Sequence, residues 1–237
     1  MPYPTLQDFI QHLDRNGELA RVKAEVNPEL ELAEIADRVM KSPASHVSNE
    51  RDKSPAARLG GKALLFENVK GSDIPVAINL FGSYWRVNQA LGSDNLEALA
   101  ERVQALVKPE IPTKFVDKLR RIPDLIKMGS FPPKVVRNGI CQQVVLEGDQ
   151  ADLTRLPIIQ CWPLDGNLDS GQVLEPDQLQ HVTERGTGRY ITLAGIYTKN
   201  PDTGERNVGM YRVQQFGPRK AAMHWHMHHD GARHFRM

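Results

Sequence analysis

Two β-rich runs, Arg189–Thr198 and Asn207–Phe216, lie either side of Asn200-Pro201-Asp202-Thr203-Gly204. Pro, Asp and Gly between two runs rich in β-branched and aromatic residues turn a chain back on itself. The pair is therefore expected as antiparallel strands. A hairpin alone is marginal in water, so its apolar side needs further strands or a helix. A third run, Ala221–His229, reads as another strand and is dense in histidine, and the sequence then stops without a recognisable cap or closing strand. Groups able to do chemistry concentrate in these last fifty residues.

The first half mixes helix and strand signals. Thr5 is expected to cap a helix, with Asp8 completing a capping box and Leu6, Phe9, Ile10 and Leu13 at helical spacing before Asn16-Gly17. Leu19–Val26 alternates as a strand does. Asn27-Pro28 is expected to cap a helix over Glu29–Lys41, with Leu32, Ile35, Ala36 and Val39 on one face. Ser42–Gly61 is polar and aperiodic and reads as a surface loop. Ala63–Glu67 and Pro75–Leu80 read as short strands, and Phe81–Leu91 as loop then helix. Asp94 is expected to cap a helix whose buried stripe is Leu96, Leu99, Ala100, Val103 and Leu106. Residues 1–112 thus form an α+β domain, and 113–137 a connector containing a basic piece, Lys114–Arg121.

From residue 138 the composition turns toward β. Cys141–Glu147 alternates as a strand, Asp149–Leu156 reads as a short helical turn, and Pro157 leads into an extended Ile158-Ile159. Leu164–Gly188 is a long loop rich in Gly, Asp and Gln, and a loop of that length in a compact domain is usually functional or disordered.

Composition narrows the function classes. A formal charge of +1 over 237 residues gives no general attraction to nucleic acid or anionic lipid. No apolar run approaches the roughly 20 residues that span a bilayer. The N-terminus has no secretory pattern. Two cysteines, Cys141 and Cys161, make no disulfide framework, and a cytoplasmic setting is expected. No Walker, GxGxxG, GxSxG or HExxH pattern occurs. Cys161, beside Trp162-Pro163, reads as a buried structural cysteine or a nucleophile.

Five of the eight histidines fall at 224, 226, 228, 229 and 234. On a strand, His224, His226 and His228 would project to one face, a pattern that can chelate a borderline divalent metal. The alternative is a polar strand face at a cofactor pocket or in water. Arg212 sits in a run expected to be buried, where a guanidinium requires an anion. That anion is either a phosphate or carboxylate ligand, or an acidic side chain of the same protein. Asn207 and Arg212 are an odd number of positions apart, so a shared ligand would need a bulge, for which Gly209 is the expected site.

The run Asn207-Val208-Gly209-Met210-Tyr211-Arg212-Val213-Gln214, with Arg189-Tyr190-Ile191-Thr192 and Asp202-Thr203-Gly204 before it, resembles the central motif of the UbiD family of prenylated-flavin-dependent decarboxylases. Further matches cover nearly the whole chain. They include Leu6-Gln7-Asp8-Phe9, Glu34-Ile35-Ala36-Asp37-Arg38-Val39, Leu65-Phe66-Glu67-Asn68-Val69-Lys70-Gly71, Asn79-Leu80-Phe81-Gly82-Ser83 and Leu153-Thr154-Arg155-Leu156-Pro157-Ile158.

The resemblance implies an α+β fold in which an N-terminal α+β domain precedes an antiparallel split β-barrel that binds flavin, here residues 138–237 and incomplete. It implies reversible, non-oxidative decarboxylation of an aromatic or α,β-unsaturated carboxylic acid, with prenylated FMN as the electron sink. By position, Arg212 would be catalytic. Met210, Tyr211, Arg212, His224, Trp225 and His226 would line the cofactor. Asn207, with His228 or His229, would hold a divalent metal, manganese, with potassium as a companion ion. A flavin prenyltransferase would supply the cofactor, and the full-length protein would be a homo-oligomer. The family's catalytic glutamates lie beyond the region matched, so the chain is expected to be an N-terminal piece that does not turn over alone. A non-catalytic flavin- or metal-binding module, or an assembly subunit, is the other reading.

Overall fold

A computed structural model describes residues 2–46, 54–107, 135–163, 165–166 and 188–237. Helix α1 spans Leu6–Arg15, and Thr5 and Asp8 close the expected capping box at its start. Strand β1, Leu19–Val22, follows the Asn16-Gly17 turn. It pairs in parallel with β2, Ala63–Phe66, which in turn pairs antiparallel with β3, Val76–Ile78. A parallel pair needs a crossover, and the connection carries α2, Glu31–Met40.

This three-stranded sheet is covered on both faces. Alternation along β2 sends Leu64 and Phe66 one way, against Leu32 and Ala36 of α2 with Val26 and Val69. Ala63 points the other way, with Leu19, Phe9 and Leu13 of α1. Helix α3, Tyr84–Leu91, is capped by Ser83 and stopped by Gly92 in the left-handed conformation. Its Arg86 is fully buried and pairs with the equally buried Glu18.

Several boundaries differ from the sequence reading. Helix α2 starts at Glu31 rather than Glu29, because Leu30 takes a positive φ and gives its N–H to Gln160 O at 3.0 Å. Asn27 holds the approach by accepting from Glu29 N at 3.0 Å instead of capping the helix. Helix α4, Leu96–Val107, is capped by Asn95, whose side chain accepts from Ala98 N at 2.7 Å, not by Asp94. Its expected buried stripe is open instead: Val103 and Val107 are exposed, and Leu96 and Leu99 only half-buried. Amphipathic spacing makes a helix form, but burial requires a neighbour, and among the described residues that face is covered only in part, toward its Leu96 end.

The second half is built from short pieces. Cys141–Glu147 is not a strand; single 3-10 turns flank an exposed segment at Ile140–Gln142 and Gly148–Gln150. Alternation alone does not make a strand without a partner for its backbone. The expected hairpin is present, but each of its runs is broken. The first gives β4, Tyr190–Ile191, and β5, Gly195–Lys199; the second gives β6, Arg206–Met210, and β7, Val213–Gln215. β5 pairs with β6, while β7 lies between β4 and β8, Ala221–Met223, so the chain changes sheet at Tyr211-Arg212. These small sheets form no closed barrel among the described residues.

The histidine run is likewise not one strand. β8 ends at Met223, His224–His229 turn, and a helix, α5, spans Asp230–Arg236. Most of the connector and of the 164–188 loop falls outside the described residues. Among the described residues no helix is long and apolar enough to cross a membrane.

Candidate functional site

Arg212 lies in the gap between β6 and β7. Its guanidinium carbon sits 4.0 Å from the centroid of the Tyr190 ring, a cation–π arrangement. Its Nη2 donates to Asp165 Oδ1 at 3.3 Å. The side chain is 48% exposed, which corrects the expectation of burial; the acidic partner is an internal one. Gly209 carries no bulge, since it pairs in register with Ile196. Leaving the ladder after Met210 re-aims Arg212 instead.

Asp165 is held by its own turn. Its Oδ2 accepts from Cys161 N at 3.3 Å and from Trp162 N at 3.1 Å. Gly166 and Gly188, both at positive φ, close the base of that turn; a Cβ on Gly166 would fall 2.8 Å from Gly188. The Cys161 thiol is pushed up, by burial first and then by the Asp165 carboxylate, while Arg212 acts in the opposite direction. Cys161 is therefore a protonated thiol at neutral pH, unsuited to nucleophilic attack.

Tyr211 points away from Arg212. It is buried, sits edge-on to Trp225 at 6.1 Å between centroids, and accepts from Gly231 N at the start of α5. His229 packs 5.2 Å from the same ring. Trp225 Nε1 is buried and has no hydrogen-bond partner among the described residues. Met210, Arg212, His224 and His226 are all exposed. His224 N donates to Arg212 O at 3.0 Å, and the His224 and His226 rings are 5.0 Å apart. The structure thus brings Arg212, His224 and His226 together, leaves Met210 exposed at the end of β6, and buries Tyr211.

Asn207 is half-buried on β6. Its Nδ2 donates to Thr198 Oγ1 at 3.4 Å, and the same hydroxyl lies 2.9 Å from His234 Nδ1 on α5. His228 is exposed, and His229 Nδ1 accepts from His226 N. His224, His226 and His228 do not share one strand face, because the strand has ended. Among the described residues no three His, Cys, Asp or Glu side chains are grouped to hold a metal ion.

Tyr190 also lines an apolar cleft of about 550 Å³ between the two halves of the chain. Its walls are Val76–Gly82 on one side and Leu156–Ile159 with Tyr190–Leu193 on the other. Backbone bonds hold the second wall: Tyr190 N donates to Ile159 O within it, and the neighbouring Gln160 N donates to Pro28 O of the first half, each at 3.0 Å. Arg189 adds an ion pair to Glu29 at 2.6 Å.

Profiles of two domains of one enzyme match this chain. Residues 10–106 match the N-terminal domain of 3-octaprenyl-4-hydroxybenzoate carboxy-lyase, and residues 134–237 match its Rift-related domain. The chain belongs to the UbiD family. An uncharacterized protein of Aquifex aeolicus is 41% identical over 233 residues, covering 98% of this chain and 40% of that protein. An uncharacterized protein of Archaeoglobus fulgidus is 39% identical over 236 residues, with 100% and 40% covered. The chain therefore spans about 40% of the length of these UbiD relatives.

Solved UbiD-class structures share the fold. The apo 3,4-dihydroxybenzoic acid decarboxylase of Enterobacter cloacae superposes with a TM-score of 0.65 at 20% identity, covering 100% of this chain and 40% of that one. Vanillic acid decarboxylase of Sedimentibacter hydroxybenzoicus in its closed form gives 0.62 at 23%, covering 99% and 40%. HmfF of Pelotomaculum thermopropionicum in complex with FMN gives 0.60 at 23%, covering 96% and 38%. Three residues of the candidate site were not singled out from the sequence: Asp165, Tyr190 as the seat of Arg212, and Thr198. Asp165 had a local signal, an Asp-Gly pair four residues after Cys161.

Proposed function

We propose that this chain supplies the N-terminal domain and the first part of a split β-barrel of a UbiD-type carboxy-lyase. Its reaction is the reversible, non-oxidative decarboxylation of an aromatic or α,β-unsaturated carboxylic acid. The observation that carries the proposal is Arg212, laid 4.0 Å over the ring of Tyr190, a residue that also lines an apolar cleft of about 550 Å³. A cation one residue away from an apolar cleft fits a ligand with a carboxylate at one end and a hydrocarbon body at the other.

Prenylated FMN, when bound, supplies the electron sink for loss of CO₂. The exposed Met210, Arg212, His224 and His226, with Trp225 Nε1 unpartnered among the described residues, fit an anionic ring system of that kind. Arg212 holds the substrate carboxylate and fixes its direction. The cleft takes the hydrocarbon body and strips water from around the ion pair, which strengthens it. Tyr211 braces the strand that carries Arg212 against α5. Asn207, His228 and His229 are the donors assigned to a divalent metal, manganese, with potassium as companion. They are too few alone to complete a site among the described residues. Residues 1–112, 113–137 and 138–237 are the domain, connector and partial barrel of this reading. The setting is cytoplasmic, the assembly a homo-oligomer, and the cofactor comes from a flavin prenyltransferase. Turnover is assigned to the longer protein, of which this chain matches about 40%.

The test is to purify the protein from cells that also make a flavin prenyltransferase, record its absorbance and titrate it with benzoate. Bound flavin is expected, with a spectrum that benzoate perturbs. Arg212→Ala should remove the benzoate response, leave circular dichroism unchanged and, in the longer protein, abolish CO₂ release. A protein that holds neither flavin nor aromatic acid sinks the reading.

A further inference from the structure

We propose that Asp165 is a built-in counter-charge for Arg212, one that a carboxylate ligand must outcompete. The inference rests on Arg212 being the carboxylate seat. It makes Asp165 a residue that sets how strongly a ligand must bind, not a catalytic one.

Arg212 has two neighbours of different character. The Tyr190 ring offers a flat, uncharged seat at 4.0 Å. Asp165 offers a full negative charge through one 3.3 Å contact to Nη2. Among the described residues that single, long contact is the guanidinium's one ion pair, and the side chain is 48% exposed. A ligand carboxylate arriving there meets a cation that is already neutralised. It must either displace Asp165 or bind beside a like charge. Both routes weaken binding, so the sign of the effect does not depend on which one the ligand takes.

Asp165 is not a stray surface acid. Its side chain is only 12% exposed, and its second oxygen is anchored by Cys161 N and Trp162 N. The anchor keeps the carboxylate in place whether or not Arg212 stays with it. Arg212 is thus the mobile partner: it can rotate away on the Tyr190 face while Asp165 stays. The same carboxylate also acts on Cys161, which gives the pair a reporter that needs neither flavin nor turnover.

The experiment compares wild type, Asp165→Asn and Arg212→Ala. Asparagine keeps an oxygen to accept from Cys161 N and Trp162 N, so the turn is retained while the charge is lost. Benzoate affinity is measured by calorimetry. Alkylation of Cys161 by neutral iodoacetamide is followed at pH 8 by peptide mass. Half-exposed ion pairs are worth a factor of about two to five in an equilibrium constant, so Asp165→Asn should tighten benzoate by about that factor. It should also speed alkylation, because a negative neighbour no longer opposes the thiolate. Arg212→Ala should abolish benzoate binding and slow alkylation, the opposite sign. Benzoate affinity unchanged or weakened in Asp165→Asn overturns the inference, and so do alkylation rates that neither substitution moves. If Arg212→Ala binds benzoate like wild type, the carboxylate-seat reading fails and takes the counter-charge role with it. A loss of binding in Arg212→Ala without a gain in Asp165→Asn leaves that reading standing and overturns only the role of Asp165.

Discussion

Replacing Arg86 by methionine should remove a large part of the fold's stability. Arg86 and Glu18 are both fully buried. Arg86 Nη1 donates to Glu18 Oε2 at 2.7 Å and to Gly61 O at 2.6 Å, and Nη2 donates to Gly60 O at 2.9 Å. Methionine fills most of the volume of the arginine stem but supplies no donor. Glu18 is then left as a buried carboxylate whose remaining ion-pair candidate among the described residues is His46, 3.4 Å away without hydrogen-bond geometry. Breaking a buried pair from one side costs about 3–5 kcal/mol, and the Gly61 carbonyl loses its Arg86 donor as well, while Gly60 O keeps Asn79 Nδ2 at 2.7 Å. Against a total of roughly 5–15 kcal/mol for a domain, this is a large share of what holds it. Urea unfolding followed by circular dichroism and tryptophan fluorescence reads the loss as a shift in midpoint. The double variant Glu18→Met/Arg86→Met leaves no orphaned charge and should be more stable than Arg86→Met alone. A single-variant loss below about 1 kcal/mol, or a double variant as unstable as two independent losses combined, would refute the reasoning.

Two further outcomes are expected. In Gly209→Ala the new Cβ would lie 2.3 Å from the Tyr211 ring, which is buried and tied to α5, so a loss of about 1–3 kcal/mol and a weakened near-UV signal should follow; unchanged melting would contradict the packing. Asp152 is held below its ordinary value of 3.8 by the Thr154 hydroxyl first and the Thr154 N–H second. A depressed carboxylate stabilises the fold above its ordinary value and loses that contribution as pH falls through the folded one. The melting-temperature gap between wild type and Asp152→Asn should therefore be widest at neutral pH and close below about pH 4, and a gap that widens in acid would exclude this.

What could be read from the sequence was what is decided within a few residues. Thr5 and Asp8 form their box because both partners lie in one turn. The Asn200–Gly204 turn brings Thr198 opposite Asn207 because a tight connection fixes the register. The misses have a common origin in distance along the chain. Nothing local says that β1 will lie parallel to β2, or that Glu18, at the end of a turn, will meet Arg86 inside the next domain layer. Cys141–Glu147 and His224–His228 alternate as strands do, but a strand exists only where another backbone accepts its hydrogen bonds. The seven-residue α5 was hidden by Gly231 in its first turn and by the histidines before it. At the site, Arg212 was singled out from its motif. Its partner Asp165 was not, because 47 positions separate them.

The clasp between Pro28–Leu30 and Gln160 has a consequence for how the protein is made. Leu30 leaves the ribosome 130 residues ahead of the carbonyl that holds it. At roughly 5–20 residues per second, that interval is on the order of ten seconds. Through that time the entry to α2 is held by its local contacts, Glu29 N to Asn27 Oδ1 and Asn27 N to Glu31 Oε2, and one wall of the cleft is still to be made.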